Sequence, residues 1–236
     1  MEDGQRGLEQ ALKRAFDFVI DAVFPEYCVA CDLPGVAFCD SCIVALVPRP
    51  RREIMKGDLE VLALYPYAAP NLRRLLGAYK FHGRTVLRAP LRSLFVKTAS
   101  TASQFLPADK TVFVPIPLSR HGDLERGFNQ SAEMATMLSE AVACHAARER
   151  FVETLLVRVR ETAQQSKLAK EERGGNVKGA FKAVRPILPE ERIVIVDDVV
   201  TTGETLAAAA AALKEAGARD VRAVTLAYGS PDVARD

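Results

Sequence analysis

Two carboxylates and three hydroxyls fall within nine residues of one another, at Asp197, Asp198, Thr201, Thr202 and Thr205, with Gly203 inside the set. Hydroxyls and backbone N–H groups gathered at a turn that opens a helix can cradle a phosphate. Adjacent carboxylates repel the same anion, but they accept hydrogen bonds from vicinal hydroxyls. A ligand with a phosphate at one end and a diol beside it satisfies both halves, and a ribose 5-phosphate is such a ligand. Glu204 adds a negative charge to the loop and is expected to point to solvent.

The elements that must position these groups are legible on either side. Residues 193–196 are consecutive apolar, β-branched residues, the pattern of a strand buried on both faces of a parallel sheet. Residues 206–214 are rich in Ala and Leu and are closed by Gly217, a helix with a stop signal. The acidic pair is therefore expected at the carboxyl end of a strand, and Thr201 to Thr205 at the following helix start. Upstream, the patterning predicts a strand over 111–116, a helix over 130–147 and a strand over 151–159. A further strand is predicted over 221–227. This alternation indicates an α/β fold with a parallel sheet flanked by helices, its ligands at the carboxyl ends of the strands. A long polar excursion to Phe181 reads as an active-site loop. Before this core, residues 59–68 read as a strand and 71–81 and 86–105 as helices. Residues 48–52 read as a linker, and 7–24 as an amphipathic docking helix ended by Pro25.

A second chemical cluster lies near the start. Cys28 and Cys31 form one Cys-x-x-Cys knuckle, Cys39 and Cys42 another. Two knuckles supply four thiolates to one point, the ligand set of a structural tetrahedral Zn2+ site. A four-thiolate iron–sulfur cluster has the same spacing requirement. Disulfides are disfavoured by the expectation of a reducing, cytoplasmic compartment, since no leader pattern precedes the cysteines. Cys144 stands apart in an Ala-rich stretch and reads as a packing residue.

Length and composition allow a sizeable core: 236 residues, 49% hydrophobic, with a formal net charge of +2. The charge is unevenly spread. No acid occurs between Glu60 and Asp109, where Arg73, Arg74, Lys80, Arg84, Arg88, Arg92 and Lys97 all fall. Residues 158–185 carry eight Lys/Arg against three Glu. Such stretches suit polyanions, a diphosphate or a nucleic acid. No apolar run is long enough to span a membrane. The boundaries divide the chain into a cysteine module with its preceding helix and linker (1–56), a hood-like α/β segment (57–110) and a core (111–236).

Further blocks complete the pattern. Arg126-Gly127-Phe128-Asn129-Gln130-Ser131 leads into a helix, where Asn129, Gln130 or Ser131 can serve as the cap and Arg126 can approach a diphosphate. Arg158-x-Arg160-x-Thr162-x-x-Gln165 and Arg173-x-x-Asn176-x-x-Gly179 follow the 151–159 segment. The run from Asp197 to Thr205 resembles the phosphoribosyl-diphosphate (PRPP) motif of type I phosphoribosyltransferases. With the knuckles, Lys80-Phe81-x-Gly83 and the two Arg-containing blocks, the order of motifs resembles the ComF family, bacterial competence-protein-F-like phosphoribosyltransferases, over residues 8–229.

That resemblance implies a type I phosphoribosyltransferase-like fold carrying an N-terminal zinc-ribbon-like module with four cysteine ligands. It implies PRPP and Mg2+ as donor system, with substitution or hydrolysis at C1 of the ribose and charge stabilised on the departing diphosphate. Asp197 and Asp198 would hold the ribose hydroxyls, and Thr201, Thr202, Gly203, Glu204 and Thr205 would surround the 5-phosphate. Lys80, Arg126, Arg158 and Arg160 would supply positive charge. It also implies a link to natural transformation, with single-stranded DNA and DNA-uptake proteins as partners, and admits a non-catalytic protein binding PRPP and single-stranded DNA. Where purine-salvage relatives usually place an Asp that can act as general base, this chain has Thr201, and little chain follows the last strand to form a hood; purine salvage is not expected.

Overall fold

The computed structural model describes residues 26–82, 85–106, 110–118, 127–143, 150–159 and 179–229. The expected helix over 7–24, Arg126, Cys144, Arg160 and the block from Thr162 to Asn176 lie outside them. Six strands form the main sheet: β1 (Arg51–Met55), β2 (Leu59–Pro66), β3 (Thr111–Pro115), β4 (Arg150–Val152), β7 (Arg192–Val200) and β8 (Asp220–Tyr228). They lie side by side in the order β1-β2-β8-β7-β3-β4. Every neighbouring pair is parallel except β1 with β2.

Alternation along the strands sorts the core into two layers. Leu62, Leu64, Phe113, Val194, Val196, Val224 and Leu226 face one side. Against them pack α2 (Pro70–His82), α3 (Arg88–Phe105) and α4 (Gln130–Ala143), through residues such as Leu72, Leu76, Leu94, Phe95, Met134 and Leu138. Val61, Val112, Val114, Ile193, Ile195 and Ala223 face the other side. There they meet Leu206, Ala209, Ala210 and Leu213 of α5 (Glu204–Glu215). Each fully buried Leu contributes roughly 2 kcal/mol of apolar transfer, so both layers clamp β7 and β8, the two strands at the middle of the sheet.

Three expectations are corrected. Residues 48–52 are not simply a linker: from Arg51 the chain forms edge strand β1, which turns back into β2 through Gly57 and Asp58, both at positive φ (79° and 54°). The Pro- and Arg-rich start hid this strand, yet an edge tolerates both residue types. The strand expected over 151–159 is two strands. β4 stays in the main sheet, whereas β5 (Leu156–Arg158) leaves it and pairs antiparallel with β6 (Phe181–Ala183) as a separate ribbon. The break falls where Glu153, its N–H bonded to the Phe113 carbonyl, turns its carboxylate to Arg185. Finally, β7 does not end before the acidic pair but carries it, continuing to Val200. A one-turn 3-10 helix, Thr85–Leu87, leads into α3. Among the described residues no helix is long and apolar enough to cross a membrane.

The cysteine module sits on the three-helix side. Its single helical turn is α1 (Asp40–Val44), and Cys28, Ala30, Phe38 and Leu46 are buried in the same cluster as α2 and α3. The guanidinium of Arg74 donates to the Ala30 carbonyl, and Lys97 Nζ donates to the Ile43 carbonyl at 2.7 Å. The fold is thus an α/β sheet with helices on both faces and a four-cysteine module docked on one of them.

Candidate functional site

The acidic pair lies in the carboxyl-terminal half of β7, Asp197 opposite Thr225 on β8, toward the end where the parallel strands point their carboxyl termini. Its two members have different partners. Asp198 is buried, with Lys80 Nζ of α2 at 2.7 Å from Oδ2 and Gln130 Nε2 of α4 at 3.3 Å from the same oxygen. Asp197 Oδ1 accepts the Ser131 hydroxyl and the Asp198 N–H, each at 2.9 Å. Burial, and then the neighbouring Asp198 carboxylate, push Asp197 up to about 7. For Lys80, burial works against the charge, but Asp198 and then Asp197 outweigh it, and the ammonium is held above its ordinary range.

The loop after β7 opens α5. Gly203 caps that helix at φ 74° and has no side chain to satisfy the first N–H groups. A Cβ built there would fall onto Met55 Sδ, which reaches over from β1. A small polar cavity of about 50 Å³ is lined by Asp197, Thr201, Thr202, Gly203, Glu204 and Thr205 together with Val199, Val200 and Leu206. Glu204 does not turn wholly to solvent as expected: its Oε2 is sealed and has no hydrogen-bond partner among the described residues. An open helix N-terminus beside a carboxylate is an arrangement that can hold an anion and a hydroxyl donor together.

Arg158, on β5, lays its guanidinium over the Phe181 ring at 4.8 Å and donates to the Pro117 carbonyl at 3.5 Å, just past β3. Arg126 and Arg160 are outside the described residues. Asn129 is the helix cap, its Oδ1 accepting from the N–H groups of Ser131 (2.9 Å) and Ala132 (3.3 Å). That leaves Gln130 and Ser131 for the acidic pair, a role that capping arguments did not reveal. Phe128 packs edge-on against Tyr79, centroids 5.2 Å apart, so it is held as a core ring. Tyr79 in turn donates to Glu133, which also pairs with Arg88.

The four knuckle cysteines converge. Their sulfurs all lie within 4.8 Å of one another, with Cys28 to Cys42 at 3.8 Å and Cys31 to Cys39 at 3.6 Å. A tetrahedral ion with metal–sulfur bonds of about 2.3 Å requires sulfur–sulfur spacings of about 3.8 Å, whereas a disulfide needs about 2.0 Å. The set therefore fits a shared metal ion such as zinc. Burial alone would raise Cys28, but backbone N–H groups, foremost that of Cys39, hold it down at about 6, poised to ligate as thiolate. Burial and the neighbouring thiols push Cys42 up, as four thiols without a cation must resist ionising together.

Residues 131–235 match the family described as the phosphoribosyl transferase domain, so the matched region begins at Ser131 and contains β7, the loop and α5. The DNA utilization protein YhgH of Salmonella typhimurium is 37% identical over 158 residues, covering 65% of each chain. The competence protein ComFC of Bacillus subtilis is 34% identical over 156 residues, 66% of this chain and 59% of that one. Competence protein F of Haemophilus influenzae is 29% identical over 161 residues. The chain is similar over about 65% of its length to these competence and DNA utilization proteins. The match to the YhgH relative of Escherichia coli O6:H1 spans 66% of that protein, just under two thirds of its length. Among solved structures, a hypoxanthine phosphoribosyltransferase from Staphylococcus aureus superposes with a TM-score of 0.40 at 12% identity, over 61% of this chain and 66% of that one. That likeness is too distant to bear on the site.

Proposed function

We propose that this chain binds PRPP with Mg2+ at the carboxyl end of β7 and transfers or hydrolyses the phosphoribosyl group at C1. The observation that carries the reading is the continuity of Asp197 with the polar cavity and the open start of α5. A 5-phosphate would take the N–H groups and hydroxyls of Thr201, Thr202 and Thr205. The ribose hydroxyls would donate to the carboxylates at 197 and 198. Substitution at C1 builds positive character on the ribose and negative charge on the departing diphosphate. Mg2+, held by diphosphate and ribose oxygens, would neutralise part of that charge. Arg158 and, on the motif alone, Arg126 and Arg160 are the side chains assigned to the remainder. Thr201 cannot act as a general base, so deprotonation of an acceptor would fall to another group or to the acceptor itself. Zn2+ in the four-cysteine site would be structural, since all four positions are thiolates and none is left open for water.

Calorimetric titration of PRPP with Mg2+ into the zinc-loaded protein tests this, with Asp197→Ala/Asp198→Ala as control. Binding that disappears in the control is the expected result. A folded wild type that takes up no heat from the ligand refutes it. The words competence and DNA utilization in the relatives' names support a second, DNA-linked reading; in it we assign single-stranded DNA, in the cytoplasm, to the basic stretches of a protein that binds PRPP without turning it over. Under that reading the affinity for single-stranded DNA falls steeply with salt, and no turnover of PRPP occurs.

A further inference from the structure

The first turn of α4 and the end of α2 hold the two carboxylates of β7 in a divided way. On Asp198 both donors, Lys80 Nζ and Gln130 Nε2, go to Oδ2. On Asp197 both donors, Ser131 Oγ and the Asp198 N–H, go to Oδ1. Oδ1 of Asp198 and Oδ2 of Asp197 are the atoms these bonds leave over. Neighbouring residues on one helix, Gln130 and Ser131, thus each take hold of one carboxylate, 68 and 66 residues along the chain.

Gln130 is 4% exposed, and its Oε1 is sealed with no partner among the described residues. An orphaned buried acceptor is destabilising, a cost that a Met or Leu at this position would avoid. What the amide supplies and Met or Leu would not is the N–H donated to Asp198. Ser131 is 1% exposed, and its hydroxyl likewise ends on a carboxylate.

We infer that Gln130, Ser131 and Lys80 are positioning residues for a diol receptor: they anchor one oxygen of each carboxylate so that the other two face the vicinal hydroxyls of a ribose. Lys80 is then assigned to Asp198 and not to the diphosphate. The consequence is specificity for ribosyl over 2-deoxyribosyl phosphates. A site with two fixed acceptors loses a hydrogen bond and strands a desolvated oxygen when one hydroxyl is missing, whereas loosely held carboxylates can turn to water.

This inference rests on the PRPP-site reading, and the test separates the two. Ribose 5-phosphate and 2-deoxyribose 5-phosphate are titrated into wild type, Ser131→Ala, Ser131→Thr and Gln130→Met, with melting curves to confirm folding. Wild type is expected to prefer ribose 5-phosphate by about tenfold or more, the scale of one charge-assisted hydrogen bond. Ser131→Ala and Gln130→Met are expected to cut that preference to about threefold or less while 2-deoxyribose 5-phosphate binds nearly as before; Ser131→Thr restores it. Folded variants that keep the full preference, or lose both sugars in equal measure, overturn the positioning roles. A wild type that binds neither sugar phosphate refutes the site reading itself, before any variant is made.

Discussion

Gly203 carries two constraints at once. Its φ of 74° lies where a side chain is strained, and a Cβ would fall on Met55 Sδ. Gly203→Ala is expected to cost about 1–3 kcal/mol, read as a lowered melting temperature. Adding Met55→Ala should relieve the contact but not the backbone, giving partial recovery. Full recovery would show that the backbone conformation costs nothing. Asp197 supports a second prediction at this scale. Its proton is released near 7 in the folded chain and near the ordinary 3.8 in the unfolded one. The folded state therefore binds more protons between those values, and stability from this group is complete below about pH 4 and gone above about pH 7. Melting temperatures taken from pH 4 to 8 should show a decline that Asp197→Asn lacks. Equal slopes in both proteins would mean that Asp197 ionises normally.

At the scale of elements, Arg185 joins the β5–β6 ribbon to the main sheet. Its guanidinium donates to Glu153 at 2.9 and 2.7 Å, after β4, and to Glu191 at 2.9 Å twice, before β7. Glu191 is buried and also accepts the Leu188 N–H. Arg185 is the first cause that holds both carboxyls below their ordinary range. Their contribution is present above about pH 4.5 and is lost as pH falls through the lowered values. Arg185→Met strands a buried carboxylate and is expected to cost about 3 kcal/mol at neutral pH. In urea unfolding, the gap from wild type should narrow toward pH 3. A gap unchanged by acid would place the role of Arg185 in packing alone. Neither the ribbon nor this clamp is legible in the sequence, because β5 and β6 pair across a long polar segment and the break in the 151–159 pattern depends on a distant arginine. The helices were easier to read: α2, α3 and α4 begin within two residues of their expected starts, since periodicity is local.

For the whole molecule, the cysteine module and the three-helix face share one core. Cys28, Phe38 and Leu46 are buried among the side chains of α2 and α3, and Arg74 and Lys97 reach across to module carbonyls. Metal loss should therefore be felt by the entire chain. Removing the ion with a chelator, or substituting Cys28→Ser, is expected to lower a single calorimetric transition by about 10 °C, the scale of a few kcal/mol in a chain of this size. Two separated transitions, with the upper one unmoved, would show that the module melts independently.

Local chemistry was determined by sequence alone. The four β-branched residues of β7, the acidic pair, the Thr-Gly turn and the Cys-x-x-Cys knuckles act through neighbours a few residues away, so their spacing is enough to read them. The two-sided burial of Ile193 to Val196 followed from their uninterrupted apolar run. Only the tertiary structure decided which distant groups complete the site. Nothing in a helix cap predicts that Ser131 and Gln130 reach carboxylates on β7, or that Lys80 closes on Asp198. Those choices depend on how α2 and α4 lie against the sheet, and that is set by the shape of a core assembled from segments far apart in the chain.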